Sequence, residues 1–89
     1  MGMYEWDETK RAKNLADHGV DFALIEAFDW GQAITEKDGR RDYAEERYRA
    51  LGYIGDRLHA AVFTIRLGNI RLISLRKANK REVLKWLAK

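Results

Sequence analysis

The sequence of 89 residues contains no cysteine and no proline. Without cysteine the chain can form no disulfide, no cysteine-ligated zinc site and no thiol nucleophile, so an apolar core must stabilise it. Without proline, no segment is disqualified as a helix or a strand. No apolar run approaches the roughly 18 residues that a membrane-spanning helix needs, and no signal-peptide pattern opens the chain. We therefore expect a soluble protein of the cytoplasm with no membrane partner.

The residues that are present are typical of one folded domain spanning residues 1–89. Hydrophobic residues make up 46% of the chain and aromatic residues 11%, which suits a single core. The net charge of +3 is unevenly distributed, because residues 66–89 carry eight Lys or Arg against one acid. That segment has a net charge of +7, which leaves −4 for residues 1–65. Such a basic end predicts a polyanionic or an acidic protein partner, with a solvated helix face as the alternative.

The first half of the chain predicts a short strand and two helices. Residues 3–6 alternate in polarity like a strand, and Asp7 is a typical N-cap for a helix that runs to His18. The apolar face of this helix is expected to contain Ala12, Leu15 and Ala16. A second short helix is expected over residues 21–28. The segment 29–46, with its turn at Asp38-Gly39 and its charged run over residues 40–47, fits an ordered loop, a weak hairpin or part of a helix.

The second half predicts an antiparallel meander followed by a helix. Strands are expected over residues 48–54, 58–66 and 70–77, separated by glycine-containing turns. Asn79, with Glu82 three residues later, signals the start of a terminal helix. This helix is expected to dock through Val83, Leu84 and Leu87. The predicted fold class is α+β, a small antiparallel sheet flanked by two N-terminal helices and one C-terminal helix. The expected core contains Trp6, Phe22, Phe28, Tyr48, Val62, Phe63, Ile70, Leu72, Ile73, Leu84 and Leu87.

Two groups of polar residues lie at opposite ends of the chain. Lys10, Asn14 and His18 recur every four residues and therefore share one stripe of the first helix. The second group, on the last two strands, contains Arg66, Arg71, Arg76 and Lys77. If these strands pack near that helix, one pocket gains several cations and an imidazole. Such a pocket is typical of a site that acts on phosphodiesters without a metal, and RNA is the expected substrate.

The chemistry of RNA cleavage suits these residue types. RNA carries its own nucleophile, the 2′-hydroxyl, so an enzyme need only deprotonate it, stabilise the phosphate and protonate the leaving oxygen. His18 is the candidate general acid or base, although the helix dipole alone also favours a histidine in a last turn. Lys10 is a candidate to neutralise developing charge or to donate a proton. With two histidines and no HxxxH or clustered-carboxylate pattern, the sequence predicts no metal site and no cofactor.

Arg66 and Arg76 are the candidates to hold the scissile phosphate, because a guanidinium group binds two phosphate oxygens at once. Strand alternation is expected to place Arg66 on a face with Val62 and Thr64. It is expected to place Arg76 with Ser74 and Leu72. Alternatively, both arginines are ordinary surface residues. The further RNA-binding residues are expected to be Asn14, Arg71, Lys77, Lys80 and Arg81, with Asn14 orienting a neighbour by hydrogen bonding.

Two separated motifs carry a resemblance to a known family. They read Trp6-Asp7-x-x-Lys10-x-x-x-Asn14-x-x-x-His18-Gly19-Val20-x-Phe22 and Arg71-x-Ile73-Ser74-x-Arg76-Lys77-Ala78-x-x-x-Glu82. In this order and chain length they resemble the BrnT toxin family, from Tyr4 to about Trp86. The resemblance implies a RelE-like fold and a ribonuclease that arrests translation and growth. It also implies a ribbon-helix-helix antitoxin, whose complex with the toxin represses their own operon, with the antitoxin making most of the DNA contact. The resemblance is also compatible with a toxin dimer within that toxin–antitoxin complex.

Three positions depart from the family pattern. Asp17 stands where a lysine is common and subtracts positive charge beside His18. Leu75 replaces a small residue, and Trp86 replaces a frequent tyrosine, so no hydroxyl proton is available there. A weakened toxin, or a non-catalytic module that binds an antitoxin or a nucleic acid, is therefore the alternative function. Loss of cleavage on changing His18 and Arg76 is expected to distinguish the enzyme from the module.

Overall fold

The structure, a computed structural model, describes residues 3–39 and 45–89. In chain order its elements are β1 (Tyr4–Trp6), α1 (Glu8–His18), a 3₁₀ helix (Phe22–Ala27), β2 (Ile34–Asp38), β3 (Arg47–Ile54), β4 (Arg57–Arg66), β5 (Asn69–Lys77) and α2 (Lys80–Leu87). Each predicted helix and strand is present, although the second helix is of the 3₁₀ type. Within residues 29–46 the structure forms β2, which pairs antiparallel with β3, a strand beyond this segment. Residues 40–44 of the predicted charged run lie outside the described residues.

Local capping residues determine where the helices begin and end. The Asp7 carboxylate accepts hydrogen bonds from the backbone N–H of Thr9 and Lys10, and Gly19 ends α1 in the left-handed conformation with φ of 71°. At α2, Asn79 and Glu82 form a reciprocal capping box. These helix boundaries confirm the sequence prediction, because capping depends on residues only three or four positions apart.

The sheet is mixed, so the prediction of a purely antiparallel meander was wrong for the sheet as a whole. Its strand order is β1-β5-β4-β3-β2. The meander of β3, β4 and β5 is present, and β2 extends it at one edge. At the other edge β1 pairs in parallel with β5, Tyr4 opposite Ile70 and Trp6 opposite Leu72. A three-residue strand whose partner lies more than 60 residues away carries no local signal of its direction.

A β-bulge changes the faces of β5. Val62 pairs with Ser74, whereas the next residue, Phe63, pairs with Leu72, which leaves Ile73 as the extra residue. Ser74 and Leu72 therefore point to opposite faces of the sheet. The prediction that Arg76 shares a face with both of them was wrong for Leu72, since alternation was counted without the bulge.

The two faces of the sheet carry different hydrophobic clusters. One face packs against the 3₁₀ helix; its buried residues are Val20, Phe22, Ile25, Phe28, Ala50, Ala61, Phe63, Leu72 and Leu75. The other face packs against α2; its buried residues are Leu51, Leu58, Ala60, Ala78 and Trp86. Of the expected core, Phe22, Phe28, Phe63 and Leu72 are buried. The partly buried members are Trp6, Tyr48, Val62, Ile70 and Ile73.

The expected apolar face was wrong for α1 and right only for Val83 in α2, which packs against the second cluster. In α2, Trp86 is buried at 7% exposure, whereas Leu84 and Leu87 are 59% and 72% exposed. In α1, the expected face of Ala12, Leu15 and Ala16 is exposed. The buried residue of α1 is instead the polar Asn14. Neither helix of the described residues is long and apolar enough to cross a membrane.

Candidate active site

Asn14 fastens α1 to the sheet. Strand β1 pairs with β5 only as far as Leu72, and beyond that point the Asn14 side chain takes the place of a neighbouring strand. Its Oδ1 accepts a hydrogen bond from the Leu75 N–H at 3.2 Å, and its Nδ2 donates to the carbonyl oxygens of Leu75 at 2.7 Å and of Val20 at 2.9 Å. With these bonds and only 6% exposure, Asn14 positions α1 and has no donor left for RNA.

A first hollow, of about 210 Å³, lies between α1 and β5. Its lining residues are Lys10, Lys13, Asn14, Asp17, His18, Ile73 and Ser74. Asp17 lies 2.9 Å from the Lys13 ammonium group, whose hydrogen bond lowers the pKa of this carboxyl. The negative charge beside His18 is therefore compensated within the same helix. This hollow brings together two of the predicted catalytic side chains, Lys10 and His18.

A second hollow, a groove of about 400 Å³, lies between the sheet and the first turns of α2. Four cationic residues line it, namely Arg49, Arg76, Arg81 and Lys85. Two carboxylates, Glu36 and Glu82, lie among them. Its apolar floor includes Leu51, Ala60 and Val62. The surplus of positive charge over a floor of small and aliphatic side chains suits a phosphate group.

Arg76 is held in this groove by α2. Its guanidinium group donates to both carboxylate oxygens of Glu82, at 2.7 Å and 2.9 Å. The same carboxylate accepts from the backbone N–H of Asn79, so the helix cap and the arginine are fixed together. The hydrogen bond from Arg76 lowers the pKa of Glu82, which keeps the pair ionised. The rigid guanidinium group is thus oriented before any ligand arrives.

Arg49 is a loosely paired cation of the groove. Its buried Nε has no hydrogen-bond partner among the described residues. Its Nη2 lies 3.8 Å from Glu36, whose carboxylate is engaged by Lys85 at 2.6 Å. This Nε–H is shielded from solvent and is therefore not itself a site for an anion. The Arg49 side chain as a whole is 36% exposed and only loosely paired with Glu36, so part of its positive charge remains available in the groove.

The structure does not bring Arg66 and Arg76 together. Arg66 lies opposite Asn69 at the hairpin end of β4, whereas Arg76 lies opposite Ala60. Six residues of strand separate these positions, which is about 20 Å. At its own end Arg66 donates to both oxygens of Glu45, at 2.6 Å and 3.1 Å. Arg71 is likewise paired, with Glu5 at 2.9 Å. Arg66 and Arg76 thus share a face of the sheet but are too far apart to hold one phosphate.

His18 and Arg76 belong to neighbouring hollows that have no lining residue in common. Ser74 borders the first hollow and Arg76 the second, and two residues of strand separate them by about 7 Å. The single site expected from the sequence is thus divided into two parts that meet on β5. Of the remaining predicted residues, Arg81 borders the groove, whereas Lys77 and Lys80 are exposed outside it.

Arg49 and Glu36 were not identified from the sequence, and Lys85 was expected only to contribute to the positive field around the RNA. Arg47 and Arg49 alternate with Tyr48 at the start of β3, which is the signal that they share one face. That Arg49 faces the same side as Arg76 follows only from the strand register, because Arg49 pairs with Val62 and Val62 with Ser74. Across residues 3–39 and 45–89, no group of three or more His, Asp or Glu side chains is placed to hold a metal ion.

A protein-family model matches the part of the chain that supplies nearly all residues of both hollows. The family model described as the ribonuclease toxin BrnT of type II toxin–antitoxin systems matches residues 6–82. Both motifs noted in the sequence fall within this range, including the residues that line the two hollows on α1 and β5. No curated protein matches the chain.

Proposed function

The chain belongs to the BrnT family, the ribonuclease toxins of type II toxin–antitoxin systems, and on this premise we propose that it is a metal-independent endoribonuclease. Its substrate is RNA in the cytoplasm, and cleavage arrests translation and growth. A ribbon-helix-helix antitoxin neutralises it, and the complex binds operator DNA through the antitoxin. A RelE-like fold is part of the same proposal. It agrees with the five-stranded sheet and flanking helices of the structure.

The observation that carries the proposal is the groove. It presents Arg49, which is only loosely paired with Glu36, Arg76 fixed by Glu82, and the exposed Arg81. Guanidinium groups that are oriented in advance stabilise the charge that develops on a phosphate in the transition state, and do so with little reorganisation. We therefore place the scissile phosphate between Arg49 and Arg76. Arg66 and Arg71, which are paired at the far end of the sheet, take no part in this step.

Proton transfer is assigned to the hollow beside α1. In this proposal the RNA crosses β5 near Ser74, which borders the same hollow as His18. The groove then holds the phosphate on one side of β5, and His18 reaches the RNA from the other side of β5. The 2′-hydroxyl oxygen attacks phosphorus and gives up its proton, while the bond from phosphorus to the 5′-oxygen breaks and that oxygen takes up a proton. His18 serves as the acid or base of one of these transfers, with Lys10 adding positive charge. The products are a 2′,3′-cyclic phosphate and a 5′-hydroxyl end.

The test measures cleavage of a labelled RNA by the purified protein in the presence of EDTA. We expect cleavage to persist in EDTA and Arg76→Lys to slow it about hundredfold, because lysine keeps the charge but loses the planar guanidinium group that Glu82 orients. Arg66→Lys is the matched control, since it also disrupts an arginine–glutamate pair on the same face. It should change the rate less than threefold.

Equal effects of Arg76→Lys and Arg66→Lys would contradict the placement of the phosphate in the groove. Cleavage abolished by EDTA and restored by a divalent cation would contradict metal independence. The role of His18 is tested separately. His18→Ala is expected to remove one limb of the pH–rate profile, and an unchanged profile would assign the proton transfer to another group.

A non-catalytic or weakened homologue is the second candidate, and one observation favours it. Two of the four cations in the groove, Arg76 and Lys85, are already paired with Glu82 and Glu36. A groove neutralised in this way still attracts an anion through Arg49 and Arg81, but with less charge for a transition state. The same assay separates the two functions. RNA that is bound but remains intact under all conditions would identify the binding module.

A further inference from the structure

The outer face of α2 exposes two leucines that do not pack in the hydrophobic core. Leu84 and Leu87 are 59% and 72% exposed. They are three residues apart and therefore adjacent on the helix surface, while Trp86 on the inner side fills the core. Lys80 lies one turn before Leu84 on the same stripe, and Arg81 lies beside it. Aliphatic side chains next to cations form an amphipathic surface, not one that is merely solvated.

The charge of this surface is of one sign. From residue 78 to residue 89 the sole acid is Glu82, and it is turned inward onto Arg76. Of the cations on α2, Lys85 is paired with Glu36, whereas Lys80 and Arg81 have no carboxylate partner within the described part of the chain. A partner that matches both properties presents apolar side chains flanked by carboxylates.

We propose that the outer face of α2 is the docking surface for an acidic amphipathic segment of the antitoxin. Its apolar residues cover Leu84 and Leu87, and its carboxylates pair with Lys80 and Arg81. Since Arg81 also lines the groove, the docked segment removes one cation from the RNA site and obstructs its mouth. The position of this docking surface beside the groove thus explains how the antitoxin inhibits RNA cleavage. RNA is a poorer match, because aliphatic side chains offer no ring on which a base can stack.

The inference rests on the proposed function only for its inhibitory consequence, because antitoxin binding is measured without RNA. The probe is the cognate antitoxin, and its affinity is measured for the full-length toxin and for single variants. Leu84→Ser and Leu87→Ser are each expected to weaken binding at least about tenfold, as anchor residues at an interface do. Both positions are exposed, so the variants should fold normally. Lys80→Glu should weaken binding by a similar factor.

The matched control is Leu24→Ser, which replaces a leucine that is 44% exposed on the 3₁₀ helix. It should leave antitoxin affinity unchanged, and Leu84→Ser should leave RNA cleavage unchanged. Three results would overturn the proposal. The first is an antitoxin affinity that does not change in Leu84→Ser and Leu87→Ser, and the second is an affinity that does not change in Lys80→Glu. The third is that these variants lose self-association or RNA binding instead of antitoxin binding. If the protein cleaves no RNA but the antitoxin results hold, the proposed function fails while this docking surface stands.

Discussion

At the scale of single residues, Asn14 shows how spacing alone misleads. Its position one turn from both Lys10 and His18 placed it in a polar stripe, and a polar stripe was interpreted as a functional surface. In the structure the α1 residues predicted to be apolar and buried are exposed, and Asn14 is the residue that contacts the sheet. A side chain with two donors and one acceptor can replace a strand neighbour, which an apolar side chain cannot.

We predict that Asn14→Ala destabilises the protein by about 2–3 kcal/mol, because the N–H and C=O of Leu75 lose their buried partner. Urea denaturation followed by circular dichroism measures this change. Lys13→Ala, an exposed change on the same helix, is the control and should leave the stability almost unchanged. A folded, fully stable Asn14→Ala that has lost RNA affinity would instead support the RNA contact expected from the sequence.

The helix caps could be predicted from the sequence, whereas half of the site could not. Asp7 and Asn79 act on backbone groups three residues away or closer, so a local pattern identified them. Arg49 joins Arg76 only through the register of three strands. The bulge at Ile73 then shifts that register by one residue. No periodicity within a single strand contains this information.

At the scale of secondary-structure elements, α2 is attached to the sheet by a small apolar contact and two ion pairs. Val83 and Trp86 supply the apolar contact. Arg76 bonds Glu82 and Lys85 bonds Glu36, and both partner carboxyls have lowered pKa values as a result. The sequence indicated the helix and its cap correctly. It did not indicate the docking face, because Trp86 packs edge-on against Tyr53 of a strand distant in sequence.

Both lowered pKa values have a definite consequence for pH. A carboxyl whose pKa is lower in the folded state than in the unfolded chain stabilises the fold above its unfolded pKa, near 4.5 for glutamate. This contribution decreases as the pH falls through the lowered folded value. The attachment of α2 should therefore weaken below about pH 4.5 and be unaffected by pH between 6 and 8.

We predict that Glu82→Gln destabilises the protein by about 1–2 kcal/mol at pH 7 and by less at pH 3, which lies below the pKa of a glutamate in the unfolded chain. Glutamine keeps an acceptor for the Asn79 N–H but loses the charge opposite Arg76. Urea denaturation at the two pH values measures the difference. Glu26→Gln, which changes an exposed glutamate of the 3₁₀ helix, is the control for removing one carboxylate at both pH values. A Glu82→Gln effect that is equal at both pH values would refute the ionic attachment.

At the scale of the whole molecule, folding removes much of the charge asymmetry of the sequence. Four of the eight cations in residues 66–89 are paired with glutamates, namely Arg66, Arg71, Arg76 and Lys85. Three of these glutamates, Glu5, Glu36 and Glu45, come from the acidic part of the chain. Net charge along a sequence predicts a type of partner, but strand pairing decides which charges remain to meet it.

The salt dependence of RNA binding shows whether RNA is bound by the groove alone or by all the cations of residues 66–89. If binding uses the groove, about three cations (Arg49, Arg76 and Arg81) neutralise phosphates. The slope of log affinity against log salt for a single strand is then about −2. If all eight cations of residues 66–89 took part, the slope would be about −5 to −6. A fourfold rise in salt would weaken binding about twentyfold in the first case and more than a thousandfold in the second.

We predict the smaller slope, measured by fluorescence anisotropy with an RNA whose 2′-hydroxyls are methylated so that it cannot be cleaved. Arg81→Ala should reduce the magnitude of the slope by about 0.7, because one phosphate contact is lost. Arg57→Ala removes an exposed cation that lines neither hollow and should leave the slope unchanged. A slope near −5 that responds equally to both variants would mean that RNA is held by the diffuse charge of the chain, and the groove would lose its role as the binding site.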